Sequence, residues 1–364
     1  MRNSVFIYFI LFFIGISLVG GSVLTTYTQF VEEGPLIEPK AVVIPKGLPL
    51  KQTASLLKKE GVITSPSIFV LGVRASGNTM NIKAGEYEFP RGASAKMVMN
   101  ILTGGQTLVR RFIAPEGMTS AQIIELMDLY RGLKGEATRI PRNGTLLPDT
   151  YHYSFDDTKD SIIYRMESAM TRVLSELWEK RNPNIALKTP QEAVIMASII
   201  EKETSRNNER GLIASVFYNR MKQGIRLQSD PTVIYAVTDG RLDLKRRLTY
   251  KDLRVQHPYN TYVIYGLPEG PISNPGRASL EAVLNPPETD YLYFVADGKG
   301  GHVFAKTYKE HQKNVENWRQ IRKRKNKSKT TPPQPSKMPV GLKESENTQE
   351  VIAEQIDDIK VDNE

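Results

Sequence analysis

Thr189-Pro190-Gln191-Glu192-Ala193-Val194-Ile195-Met196-Ala197-Ser198-Ile199-Ile200-Glu201-Lys202-Glu203 is the segment around which the chain arranges itself. Thr189 can cap free backbone N–H groups, Pro190 suits the first helical position, and Glu192 completes a capping box. At about 100° per residue, Ala193, Met196, Ala197 and Ile200 form the middle of an apolar stripe, with Ser198 and Lys202 on the polar side. Glu201 falls at the stripe's edge. Glu203 projects from the apolar side near the helix end, where lost hydration raises a carboxyl pKa, as a general acid near neutral pH requires. The competing reading pairs Glu203 with a cation such as Arg206 or Arg210.

The 364 residues leave room for two domains with cores of their own. No cysteine is present, which excludes disulfides and thiolate metal sites. The four histidines, His152, His257, His302 and His311, form no His-x-x-x-His pair, and no Walker loop or Gly-x-Ser-x-Gly elbow occurs. Neither a metal nor a cofactor is expected. The formal charge of +9 points to an acidic partner: anionic lipid, wall polymer or nucleic acid. The basic cluster Arg322–Lys325 lacks interleaved aromatics and reads as a solvated, membrane- or wall-facing segment rather than a nucleic-acid site.

Val5–Leu24 is almost wholly apolar and long enough at about 1.5 Å per residue to cross a bilayer. Arg2 before it and Glu32-Glu33 after it put the N-terminus in the cytoplasm and the bulk of the chain outside. The alternative is a cleaved signal peptide with Gly20-Gly21-Ser22 near the cut.

Three times a strand-like run meets Pro-x-Gly and then a helical pattern: at Pro45-Lys46-Gly47, Pro90-Arg91-Gly92 and Pro115-Glu116-Gly117. Small β–α units are therefore expected over residues 40–130. Leu146–Tyr153 offers Asp149 and Thr150 beside aromatics, either for a sugar or as a turn with its rings in the core. Ser161–Lys180 reads as an amphipathic helix. Asn207 or Asn208 is expected to cap the next helix, which Gly224 stops. Arg226–Tyr235, His257–Tyr262 and Gly266–Gly276 are polar loops stiffened by Pro and Gly, suited to a carbohydrate groove. A hairpin is expected around Asp297–Gly301, in which His302 can bond a ligand or a carboxylate. A last helix opens at Thr307 and buries His311, Val315 and Trp318; from Arg322 the chain reads as disordered.

Ala197–Thr204, Arg226–Tyr235, Tyr259-Asn260-Thr261-Tyr262, Gly266-Leu267-Pro268 and Tyr291–Phe304, with Leu147–Tyr151, closely resemble the endolytic murein transglycosylases, the YceG-like family. The resemblance covers about Ala41–Ile321. It implies an α+β protein: an N-terminal transmembrane helix (1–30), a LysM-like β–α module with linking units (38–130, the module itself about 40–105) and a mixed α/β catalytic domain (131–321); the disordered charged tail (322–364) is read from its composition and lies outside the family pattern. It further implies cleavage of the β-1,4 bond between N-acetylmuramic acid and N-acetylglucosamine in peptidoglycan glycan strands. The family's catalytic glutamate, the second acid of Glu-Lys-Glu-Thr, falls on Glu203. Gln228, Asp230, Thr232, Tyr259, Asn260, Tyr262 and Asn274 match motif positions expected to hold sugars or orient Glu203. Glu203 would protonate the glycosidic oxygen, then take the proton of the muramic acid C6 hydroxyl as it closes a 1,6-anhydro ring. Asp230, if close to the bond, would allow a water-using muramidase instead. A non-catalytic wall-binding adaptor is the reading from another class. The resemblance also places the protein as a single-pass inner-membrane protein with its catalytic part in the periplasm, ending growing strands in contact with peptidoglycan synthases.

Overall fold

The computed structural model describes residues 2–78, 81–241 and 244–330; the outer part of the expected tail, 331–364, lies outside the described residues. The chain opens on α1 (Arg2–Val31), whose Phe9–Val31 portion is long and apolar enough to cross a membrane. Its last turn is fastened to the first of three cores, because Phe30 is buried there and lies against Gly72, where any Cβ would collide with the ring.

That first core is built by β1 (Lys40–Ile44), α2 (Leu50–Lys59), α3 (Pro66–Ala75), β2 (Gly85–Phe89) and α4 (Ala95–Gly104). β1 and β2 pair antiparallel from Lys40↔Phe89 to Ile44↔Gly85. Their inward residues, Val42, Ile44, Tyr87 and Phe89, meet Leu57, Phe69, Val73, Val98 and Leu102. Ser65, whose hydroxyl accepts from the Ile68 N–H, starts α3, a helix not expected from the sequence. The glycines of all three Pro-x-Gly turns, Gly47, Gly92 and Gly117, have positive φ, which explains why the pattern recurs.

The third unit does not join that sheet. β3 (Arg110–Ile113) pairs antiparallel with β4 (Thr150–Tyr153), and with α5 (Ser120–Met127) they form a separate core of Phe112, Ile123, Met127, Leu146, Tyr151 and Ile162. The boundary expected after residue 130 therefore cuts through a sheet; packing instead changes hands between α4 and β3. Tyr151 and Tyr153 are buried in this core, so the rings of the Leu146–Tyr153 stretch are packing, while Asp149 and Thr150 stay exposed.

The largest core gathers around α7 (Pro190–Glu203). It is packed by α6 (Lys159–Glu179), α8 (Asn207–Lys222), α9 (Asp230–Thr238) and α10 (Arg277–Leu284). The Thr189–Glu192 capping box forms as expected. The stripe, however, is a full cylinder: every residue from Ala193 to Ile200 is buried. Ser198 lies inside because its hydroxyl donates to the Ile195 carbonyl and accepts from the Ile272 N–H, so a loop rather than water faces it. α8 starts from Arg206, not from an asparagine cap. β5 (Tyr293–Ala296) and β6 (His302–Ala305) make the expected hairpin. α11 (Tyr308–Thr330) leans on it and continues past Arg322. A two-stranded hairpin covers little of a long helix, so His311, Val315 and Trp318 are only half-buried.

Candidate active site

Glu203 is the last residue of α7, and its side chain is half-buried where the helix meets the loop before α9. The two cations that offered an ordinary ion pair are spent elsewhere. Arg210 binds Glu201 at 3.0 Å and Glu116 at 3.4 Å, while Arg206 binds the Lys299 carbonyl at 2.9 Å. Glu201 is the fully engaged acid of the pair: its other oxygen accepts from the Gly276 N–H at 2.8 Å. Sequence spacing put Glu201 at the edge of the apolar face; a buried guanidinium is what holds it there.

What Glu203 receives is one hydroxyl. Ser229 Oγ donates to Glu203 Oε1 at 2.5 Å. Ser229 occupies the N-cap position of α9 yet makes no side-chain cap, so a hydroxyl that would ordinarily stabilise the helix start is turned to the carboxyl. Burial pushes the Glu203 pKa up to about 7; the Ser229 hydrogen bond opposes this, the charge of Asp230 adds to it, and His302 and Arg220 pull it down. The group is therefore poised between acid and carboxylate at neutral pH.

The loop carrying Ser229 is held by two threonines. The Ser229 N–H donates to Thr261 Oγ1 at 2.9 Å, Thr232 Oγ1 meets Thr261 Oγ1 at 2.8 Å, and Thr232 Oγ1 donates to the Ser229 carbonyl at 2.7 Å. Gln228, exposed, takes φ +53° to make the corner and donates its N–H to the Thr261 carbonyl. Next to it, Tyr262 donates its hydroxyl to Asp230 Oδ1 at 2.6 Å; burial and this carboxylate raise the phenol's pKa, so it stays a donor. Behind them Arg220 is buried, its Nε on the Leu292 carbonyl and its Nη1 on Leu227, so it is a fixed cation.

These contacts sort the residues singled out from the sequence. Asp230, Tyr262 and Gln228 gather with Glu203 around the start of α9. Thr232, Asn260 and Asn274 are fully buried, and their polar groups are spent within the protein. Asn260 donates to the Leu253 and Val255 carbonyls and accepts from the Tyr262 N–H. Asn274 Oδ1 accepts from the Gly144 and Leu146 N–H groups, while its Nδ2 donates to the Met118 carbonyl and Ser120 Oγ. With all four hydrogen bonds made, it has nothing left for a sugar. In this arrangement all three hold loops together. Tyr259 stacks on Tyr235, ring centroids 4.6 Å apart, and its hydroxyl lies against Gly270.

The description of the YceG-like family matches residues 42–317 as one continuous stretch, covering Glu203 and all these neighbours. The chain belongs to the YceG-like family. A relative named endolytic murein transglycosylase from Bacillus subtilis (strain 168) is 35% identical over 306 residues, covering 76% of this chain and 83% of the relative. One of the same name from Streptococcus pneumoniae (strain D39) is 28% identical over 321 residues, and the alignment spans 57% of that longer protein. A crystal structure of a yceG-like protein from Listeria monocytogenes is 34% identical, covers 76% of this chain and 99% of its own, and superposes with a TM-score of 0.48.

In this YceG-like chain, sequence reasoning missed Ser229 and Arg220. Ser229 had a signal: Ser-Asp-Pro is a helix start, with Pro231 tolerated in the first turn, although its polar surroundings look like a loop. Arg220 carried none, because it is fixed by the Leu292 carbonyl, distant in the chain.

Proposed function

We propose that this protein is a lytic transglycosylase acting on peptidoglycan, with Glu203 as its acid–base group. One observation carries the reading: a carboxyl at a helix end, contacted by a single hydroxyl and with its pKa pushed up to about 7 by burial, while the neighbouring Arg206 and Arg210 bind other groups. The name borne by the Bacillus relative supports the substrate and the reaction class. In this scheme neutral Glu203 protonates the glycosidic oxygen. The carboxylate left behind is stabilised by Ser229 and the fixed charge of Arg220. It then takes the C6 hydroxyl proton of the muramic acid as that oxygen attacks C1 and closes the anhydro ring. The nucleophile belongs to the substrate. Asp230 acts through its charge, keeping Glu203 protonated, with Tyr262 steadying it.

The same proposal takes α1 as an uncleaved single-pass anchor in the inner membrane, the rest on the periplasmic side, and residues 40–105 as the LysM-like module. Phe30 packed into that module's core supports it, since the helix end is part of the folded unit. Ending nascent strands beside synthases is the cellular role that fits an anchored enzyme of this kind.

The test is product analysis on purified glycan strands with the full-length protein. Anhydro ends, lighter by one water than reducing ends, are expected, with kcat/KM falling as pH rises through about 7. Glu203→Gln is expected to lose roughly 10²–10⁴-fold in turnover while still binding glycan. Reducing ends would establish the muramidase chemistry instead, and undiminished turnover by the Gln variant would remove Glu203 from the reaction.

A further inference from the structure

The loop that brings Ser229 to Glu203 carries a cation that the scheme above does not use. Arg226 is half-buried, and its guanidinium carbon stands 4.6 Å from the centroid of the exposed Tyr265 ring. Its Nε is closed off from solvent with no hydrogen-bond partner, and no carboxylate pairs with it among the described residues. A guanidinium lying on a phenol ring is oriented by the stack, which leaves its Nη groups to a ligand. The backbone around it is fixed. Arg220 Nη1 donates to the Arg226 carbonyl at 3.2 Å and to the Leu227 carbonyl at 2.8 Å, while the Gln228 and Ser229 N–H groups both donate to Thr261. Arg226 lies three residues before Ser229, no more than about 10 Å along the chain. Leu227 and Ser229 are buried, whereas Gln228 and Asp230 are exposed. Arg226 therefore leads a row of three polar side chains, each at least partly open to solvent, beside the contact between Ser229 and Glu203. The facing loop meets both ends of that row: Tyr262 reaches Asp230, and Tyr265 lies under Arg226.

We propose that Arg226, held on Tyr265, is a carboxylate-binding subsite beside the cleavage position that reads the acidic arm of muramic acid. The inference rests on the reading of peptidoglycan as the substrate and adds to it what is recognised outside the sugar ring. The sugars of a glycan strand offer hydroxyls and amides. Its acidic groups are the lactyl carboxyl of muramic acid or, where that is joined to a stem peptide, the carboxylates of the peptide. A planar guanidinium with its Nη groups free matches a carboxylate at two points, with charge on both sides of each hydrogen bond. Asp230, the acid on the same row, has Tyr262 on one oxygen and the wrong charge for such a ligand, so recognition falls to Arg226.

The test gives the full-length protein three preparations of glycan strand. One bears stem peptides, the second bears the same peptides with their carboxylates converted to amides, and the third is stripped of peptide so that the lactyl carboxyl is bare. Where the peptide supplies the carboxylate, the parent is expected to favour charged over amidated strands by about tenfold in kcat/KM, through KM, with the preference fading as salt is raised. Where the lactyl group supplies it, the stripped strands are the ones favoured over the amidated. In either case Arg226→Gln is expected to lose that factor on the favoured strands alone, and Arg226→Lys, a charge without the fork, to fall in between. A residue that merely braces the two loops would, when replaced, lower activity on all three preparations alike or on none, and either result overturns the inference. A parent that cleaves none of the preparations would instead remove the reading on which the subsite depends.

Discussion

At the scale of the residue, the position of Glu203 is a compromise that shows in stability as well as in turnover. Its folded pKa of about 7 lies above that of an unfolded glutamate, so the native state binds the extra proton between roughly pH 4.5 and 7. Stability linked to this group is therefore fully present below pH 4.5 and is lost as pH rises through 7. The loss comes to about 2–3 kcal/mol once the partial exposure of the side chain is allowed for. Glu203→Gln carries no such penalty. It is expected to match the parent in urea melts at pH 4.5 and to exceed it by roughly that amount at pH 8. Equal midpoints at both pH values would mean that the carboxyl is ordinarily solvated. Amphipathic spacing put this acid on the apolar side, where desolvation is a local consequence of which way a residue faces, but left an ordinary ion pair open; the family motif is what singled it out. Spacing could not identify what tunes it. Ser229, Arg220 and His302 arrive from the start of α9, from α8 and from β6, and no periodicity in α7 reports on them.

At the scale of the element, the same contrast separates the motif residues that hold loops from those that face the site. Asn274 lies in a Pro/Gly-rich loop whose composition suits a sugar site, yet its four hydrogen bonds stitch residues 118, 120, 144 and 146 together. Asn274→Ala leaves two buried backbone N–H groups without acceptors, each worth about 1–3 kcal/mol. A loss of about 3 kcal/mol or more is expected, seen as a lower urea midpoint at unchanged slope, with KM for glycan unaltered in the folded fraction. A raised KM without loss of stability would restore the sugar-contact role. α7, with its start signal at Thr189-Pro190, and α6, from its apolar spacing, were legible. The partner of β3 was not, because strand pairing is chosen across the chain. Three similar β–α units suggested one repeating layer. Instead β1 pairs with β2 while β3 reaches forward to β4, since Tyr151 and Tyr153 give Phe112 an apolar face to pack on.

At the scale of the whole molecule, three cores succeed one another from the apolar helix to the Glu203 domain, and a buried ion pair joins the first to the second. Glu86 sits on β2 with its side chain 3% exposed, and Arg110, the first residue of β3, clasps it through Nε at 2.8 Å and Nη2 at 2.7 Å. The adjacent Leu108 N–H donates to the Glu86 carbonyl at 2.7 Å, so the connection between α4 and β3 runs along the edge of the first sheet. Two-point geometry of this kind fixes an angle as well as a distance. Its removal is asymmetric in cost: Arg110→Met strands a buried carboxylate and should weaken the junction by about 3 kcal/mol, whereas Arg110→Met with Glu86→Leu removes both charges and should recover most of that. Phe30 against Gly72 ties the apolar helix to the first core, and Arg110 ties that core to the second, so these parts are connected by packed joints as well as by the chain. Calorimetry of the parent is expected to show one cooperative transition and of Arg110→Met two, with the double variant returning to one. A parent that already unfolds in two steps would mean that the modules are coupled by chain alone.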